Sequence, residues 1–149
     1  MIYEFCAENV TLLEKAMQAG ARRIELCDNL AVGGTTPSYG VTKAAVELAS
    51  NYDTTIMTMI RPRGGDFVYT DFEIAIMLED IRLTAQAGSQ GVVFGALTAD
   101  KKLDKANLEK LIAASKGMEI VFHMAFDELS DEDQLEAIDW LSQAGVTRI

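Results

Sequence analysis

The sequence has little cysteine, little positive charge and no long apolar run, and each shortage excludes a class of protein. Two cysteines, Cys6 and Cys27, are too few for a disulfide framework. Thirteen basic against 23 acidic side chains give a net charge of −10, so we expect neither nucleic acid nor a membrane surface as a partner. No apolar stretch approaches the roughly 20 residues of a transmembrane helix. The N-terminus does not resemble a signal peptide, so we expect a cytoplasmic protein with reduced thiols.

What the sequence does contain is a regular alternation of short and long apolar patterns. Its 149 residues, of which 49% are hydrophobic, are enough for one core, so residues 1–149 are expected to form a single domain. Short runs predict strands at 2–6, 23–27, 55–60, 91–95 and 119–123, with the start of a sixth at 146–149. Longer patterns with helical spacing predict helices at 9–20, 40–50, 71–87, 105–115 and 131–144.

Alternating strands and helices predict an α/β fold with a parallel sheet and the helices outside. Five and a half units would suit an open doubly wound sheet, or a TIM-type (β/α)8 barrel that is incomplete, since a full barrel needs eight units. The last residue, Ile149, falls inside an apparent strand, so we expect a chain that stops before the barrel closes. Unpaired strand edges would then favour a homo-oligomer.

Polar side chains recur on one parity of the predicted strands. In a barrel this parity faces inward, and its members near the strands' carboxyl ends can carry chemistry. Two interpretations remain open: a polar pocket at the barrel mouth, or an ion-pair network in which Arg61 neutralises Glu4 and Glu25. The inward set consists of Glu4, Cys6, Glu25, Cys27, Met57, Met59, Arg61 and His123.

Two of these side chains are candidate metal ligands. Cys6 and Cys27 end neighbouring strands with the same parity, and two thiolates suit a soft ion such as Cu(I). The alternative is that both are small buried hydrophobes, the usual role of a free cysteine. Met57 and Met59 could add thioether ligands, although such a pair more often fills a core.

Three others are candidate catalytic residues. Glu25 and His123, the only histidine, could form an acid–base pair at the barrel mouth. Arg61 begins a glycine-containing loop and could hold a small anion bidentately. A lone histidine can equally be a satisfied structural residue, and glycine-rich loops can reflect backbone geometry alone.

Several strings in the sequence resemble the CutC family. They keep the family's order and span nearly the whole chain, and the run from Arg61 to Phe67 is particularly specific. The strings are CAEN at 6–9, RIELCDNL at 23–30, GGTTPSYGV at 33–41, MIRPRGGDFVY at 59–69, LEDIR at 78–82, GVVFGALT at 91–98 and HMAFD at 123–127.

The resemblance implies a TIM barrel in the cytoplasm with a role in copper homeostasis, in which Cys6 and Cys27 are the Cu(I) ligands. The polar mouth also resembles that of an enzyme acting on a small anionic or sugar-like substrate through Glu25, His123 and Arg61. In one position the sequence departs from the family, because Met124 stands where the family usually has arginine. If that arginine binds an anion, this protein should bind it less well.

Overall fold

In the computed structural model, which describes residues 1–149, five parallel strands form one sheet in the sequential order β1-β2-β3-β4-β5. The strands are β1 Glu4–Glu8, β2 Arg23–Cys27, β3 Thr55–Met59, β4 Gly91–Phe94 and β5 Glu119–Phe122. The order and the uniformly parallel pairing confirm the arrangement predicted from the sequence.

Five helices connect the strands: α1 Leu13–Gln18, α2 Tyr39–Ala49, α3 Asp71–Ala87, α4 Lys105–Ala114 and α5 Asp131–Gln143. The longest, α3, shows why these segments are helical. At its start Thr70 and Glu73 form a reciprocal capping box, and at its end Gly88 adopts a left-handed conformation with φ of 90°. No helix is both long and apolar enough to cross a membrane.

The sheet has a helix-covered face and an inner face. Ile24 and Ile56 belong to one outer core cluster, whereas Val92 and Phe94 belong to a larger one. The opposite parity forms a separate, smaller buried cluster on the inner face, made of Cys27, Met57, Met59, Val93 and Val121. Two apolar layers separated by a parallel sheet are what the wall of a TIM-type barrel requires.

A contact between the two margins of the sheet shows that it curls. Arg148 follows α5 and forms a parallel bridge with Val121, where a sixth strand would pair. Its Nη1 lies 2.6 Å from Glu4 Oε2 in β1, at the other margin. At about 4.8 Å per strand a flat sheet would hold these positions more than 20 Å apart. The fold is therefore an incomplete TIM-type barrel, as predicted.

Two predicted boundaries are wrong at the start of the chain. The first strand runs from Glu4 to Glu8, two residues later than predicted, because its register partners are the five residues of β2. The first helix begins at Leu13 rather than residue 9. Asn9 and Leu12 both have positive φ, 52° and 57°, so the segment between strand and helix turns instead of forming a helix.

Candidate metal centre and barrel mouth

Cys6, Glu25 and Cys27 form a compact group on the inner face, here called the thiol–carboxylate cluster. Cys6 is the register partner of Glu25, and Cys27 lies two residues further along β2 on the same face. The Sγ atoms of Cys6 and Cys27 lie 3.6 and 3.9 Å from Glu25 Oε1. The three possible ligand atoms are all within 4.8 Å of one another. The structure thus brings together both cysteines that the sequence singled out.

The three groups of the cluster change one another's ionisation. The hydrogen bond between the two thiols lowers the pKa of Cys6. The same hydrogen bond, together with burial, strongly raises the pKa of Cys27. Burial, followed by the nearby Glu4 carboxylate, raises the pKa of Glu25. Cys6 is exposed and Cys27 is buried, so Cys6 is the thiol of the pair that solvent reaches.

The two thiols are poorly placed for a disulfide. Cys27 lies diagonally from Cys6, one strand away and two residues further along. Strand spacing and rise place such α-carbons about 8 Å apart, and a disulfide needs less than about 7 Å. The pair therefore suits a bridging ion better than a covalent bond.

Arg61 lies at the mouth, where both of its Nη atoms are hydrogen-bonded to backbone carbonyls and its buried Nε has no partner. Its Nη1 donates to the carbonyl oxygens of Val32 (2.7 Å) and Gly34 (3.0 Å), and its Nη2 donates to Gly65 O (2.7 Å). The guanidinium also lies over the Phe67 ring, 4.7 Å from its centre. Arg61 is only 2% exposed and joins the two glycine-containing loops that follow β2 and β3. Bidentate contact with an anion through Nη1 and Nη2 would require some of these bonds to break.

His123 follows β5 and is buried beside the Arg61–Phe67 pair. Its Nδ1 accepts the backbone N–H of Ala125 at 3.2 Å, so in the neutral ring the proton lies on Nε2. Nε2 itself is buried and has no partner. Burial, with a smaller contribution from Arg61, lowers the pKa of His123 to about 3. At neutral pH His123 is therefore an uncharged donor.

A cavity of about 430 Å³ opens on the inner face and is lined by both Glu25 and His123. Its charged lining is mainly acidic, with Glu4, Glu25 and Asp127 against a single guanidinium, that of Arg148. Met124, the residue that departs from the family pattern, also lines it, and a side chain added at Gly33 would collide with the Met124 methyl group. The Met124 side chain thus fills the space between the loop that contains Gly33 and the cavity.

The ion-pair network at the opposite end of the inner face uses arginines that sequence reasoning missed. This group, here called the charged floor, consists of Glu4, Arg23, Glu119 and Arg148. Arg23 lies 3.8 Å from the Glu4 carboxylate and 3.4 Å from that of Glu119, and Arg148 pairs with Glu4. The expected pairing of Arg61 with Glu4 and Glu25 is wrong, because the nearest partners of Arg61 are carbonyl oxygens. Extending the inward parity of β2 and β5 to their first residues would have found Arg23 and Glu119.

Met57 and Met59, the candidate thioether ligands, are both buried on the inner face. Met57 packs so closely on Gly91 that a side chain there would collide with it. A side chain at Gly34 would lie 3.1 Å from Cys27 Sγ and 3.6 Å from the Met59 methyl carbon. Met59 therefore borders the thiol–carboxylate cluster, whereas Met57 is core filling.

The fold and inner face define a TIM-barrel protein with thiol, carboxylate and imidazole groups at its mouth. The model of the CutC family matches residues 1–149, and the chain belongs to that family. A CutC family protein of Enterococcus faecalis is 54% identical over 149 residues, which are 100% of this chain and 71% of the relative.

Solved structures agree with this assignment. A CutC protein from Streptococcus agalactiae superposes with a TM-score of 0.96 at 48% identity, covering 100% of this chain and 71% of that one. A Burkholderia cenocepacia protein named as a phosphonomutase gives a TM-score of 0.73 at 18% identity, over 100% of this chain and 61% of that one. The second likeness concerns the fold alone.

Proposed function

We propose that this protein binds Cu(I) through the thiolates of Cys6 and Cys27 and serves copper homeostasis in the cytoplasm. The observation that carries the proposal is the approach of both sulfur atoms within 4.8 Å on neighbouring strands. Cys27 ends β2 as the sequence predicted, whereas Cys6 lies in the middle of β1 rather than at its end. Two metal–sulfur bonds of about 2.3 Å span up to about 4.6 Å in a linear arrangement, so one ion can bridge the pair with little movement. Thiolates are ligands that Cu(I) prefers.

Two further observations support this function. The Streptococcus agalactiae relative carries the name of a copper homeostasis protein. The lowered pKa of Cys6 favours its thiolate, whereas Cys27, whose pKa is raised, has to lose its proton as the metal binds. Copper is the cargo in this proposal, and both ligands come from this chain.

Anaerobic competition against a chromophoric Cu(I) chelator tests the proposal. We expect one tightly bound Cu(I) per chain, and a loss of at least 100-fold in affinity in Cys6→Ser and in Cys27→Ser, because a hydroxyl is a poor ligand for a soft ion. Met124→Leu, which removes a thioether from the neighbouring cavity, serves as the control and should bind normally. Unchanged affinity in both serine variants would exclude the paired-thiolate site.

A second candidate function is catalysis on a small molecule, and the cavity shared by Glu25 and His123 favours it. In this proposal Glu25 is the proton acceptor, and neutral His123 donates from Nε2 to a substrate oxygen. Arg61 positions the two loops that shape the mouth. The acidic lining suits a sugar-like molecule better than an anionic one.

The catalytic proposal is tested with a metabolite screen on a full-length relative, followed by the matching Glu→Gln and His→Asn variants. Both variants should fold and lose turnover. Full activity of the folded variants toward a confirmed substrate would contradict the assigned roles.

Self-association is part of the proposal, since apolar side chains are exposed beside the edge strand β1 and on the last helix, α5. Ile2 and Tyr3 are 59% and 65% exposed beside β1, and Leu135 and Ile138 on α5 are 71% and 45% exposed. Pairing of such margins between copies would cover them. Sedimentation of the 149-residue chain should show dimers or larger species, and a monomer at all concentrations would contradict this.

A further inference from the structure

The carboxylate of Glu25 lies where a third metal ligand would lie. Its only hydrogen bonds are the contacts of 3.6 and 3.9 Å from the Cys6 and Cys27 thiols. In a tetrahedral zinc centre, metal–sulfur bonds of about 2.3 Å and metal–oxygen bonds of about 2.1 Å place sulfur and oxygen about 3.6 Å apart. The two sulfur–oxygen separations in the cluster are thus close to those of a formed centre.

From this geometry we infer that Cys6, Glu25 and Cys27 together form a three-ligand centre for a divalent ion of borderline softness, with Zn²⁺ as its probe. The inference shares with the proposed function the use of the cysteine pair as ligands. It goes further in giving Glu25 a place on the metal and in naming a second ion.

Charge favours a divalent ion in this centre. Two thiolates and a carboxylate carry three negative charges. A monovalent ion would leave two of these charges uncompensated, whereas a divalent ion would leave one. Uncompensated charge is costly in a site that is partly buried. The nearby arginines do little to help, because Arg23 and Arg148 are already paired with Glu4 and Glu119.

Donor type points the same way. Zn²⁺ accepts sulfur and carboxylate oxygen together, whereas Cu(I) gains little from a hard oxygen. Each thiol releases its proton to the buffer when the metal binds. Three protein ligands leave one tetrahedral position open, and because Glu25 also lines the cavity of about 430 Å³, that position faces a space able to hold water or a small molecule.

Equilibrium competition between the protein and a chromophoric zinc chelator, with added Zn²⁺ as the only metal, tests the inference. We expect one Zn²⁺ per chain, and a fall in affinity of tenfold or more in Glu25→Gln. The same variant should bind Cu(I) within about threefold of the wild type. Glu119→Gln is the matched control, because it neutralises a carboxylate on the same face of the sheet, and its zinc affinity should be unchanged.

Glu25→Asp provides a second variant that keeps the charge but shortens the reach of the ligand. A loss of zinc affinity in both Glu25 variants, with normal binding in Glu119→Gln, supports ligation by Glu25. Zinc binding as tight as the wild type's in both would overturn the inference, even if Cys6→Ser and Cys27→Ser abolish binding.

The two proposals can fail separately. Cu(I) binding that needs both cysteines, combined with zinc binding indifferent to Glu25, would leave the proposed function standing and overturn the inference. Zinc binding that needs all three residues, combined with absent Cu(I) binding, would do the reverse.

Discussion

At one end of the inner face the carboxylate of Glu4 is held by two arginines, whereas at the other end Glu25 has only two thiols beside it. The two carboxylates lie on neighbouring strands and face the same side of the sheet, so the difference between them lies in their partners. In the charged floor each carboxylate is paired with at least one arginine, an arrangement of the kind that holds a structure together, although Nε of Arg23 and Nη2 of Arg148 have no partner. In the thiol–carboxylate cluster no arginine or lysine pairs with Glu25, whose only hydrogen bonds come from the two thiols, and this makes the cluster a candidate for binding a metal cation.

Arg61 extends the comparison, since it lies at the mouth yet its two Nη atoms are held by backbone carbonyls, as the arginines of the floor are held by carboxylates. We expect Arg61→Met to lower the free energy of unfolding by about 3 kcal/mol or more, because three buried carbonyl oxygens lose a charged donor. Urea unfolding followed by circular dichroism measures this change. Arg82→Met, which removes an exposed pair on α3, is the control and should cost less than about 0.5 kcal/mol.

Equal and small losses in both arginine variants would mean that the loops after β2 and β3 do not depend on Arg61. Arg61 would then again be a candidate for direct contact with a ligand.

His123 should make stability depend on pH. Its pKa is about 3 in the folded protein and about 6.5 when unfolded, so below pH 6.5 the unfolded chain binds more protons and stability falls as the pH falls. Between pH 7.5 and 5 the loss should be about 2 kcal/mol. His123→Asn, which keeps an acceptor for the Ala125 N–H, should lack this component.

Urea unfolding of both proteins across that pH range provides the test, with the difference between them as the readout. Parallel stability curves would show that His123 titrates normally, which would restore it as a candidate acid at neutral pH.

The charged floor should contribute modestly to stability. Glu4→Gln leaves Arg23 with one partner and Arg148 with none, and we expect a loss of about 1 kcal/mol that shrinks at high salt, since these side chains are partly exposed. Thermal unfolding at low and high salt measures it. Glu4 acts on the thiol–carboxylate cluster only as a nearby charge, so metal affinity should change by no more than about threefold. A large loss of Cu(I) binding in Glu4→Gln would show that the charged floor and the cluster are not separate.

The smallest effect on stability is expected at Glu25. Glu25→Gln removes a carboxylate whose charged form is disfavoured by burial, so stability at pH 7 should change by less than about 0.5 kcal/mol or rise slightly. The same unfolding experiment compares it with Glu4→Gln. A loss greater than that of Glu4→Gln would show that Glu25 is a structural residue.

The barrel order and the inward parity could be predicted from the sequence because both follow from short-range patterns. Alternation within each strand placed Cys6, Glu25 and Cys27 on one face, and the register of β1 with β2 then brought them together. The start of the first helix was predicted too early, because Leu12 takes a left-handed conformation that is unusual for leucine, and the preference of Asn9 for that conformation was not used.

The partners of Arg61 and Arg148 could not be predicted from the sequence, for a different reason. Arg61 binds backbone carbonyls, which every residue carries, so no side-chain pattern marks them. Arg148 meets Glu4 only because the sheet curls, and the separation of 144 residues hides that contact.

X-ray absorption spectroscopy at the copper edge, on the protein loaded anaerobically with one equivalent of Cu(I), tests the central claim most directly. We expect two sulfur atoms in the first coordination sphere of the wild-type protein and one in Cys6→Ser. A sphere of nitrogen or oxygen atoms alone, or one unchanged by the loss of Cys6, would contradict the assignment of Cys6 and Cys27 as the copper ligands.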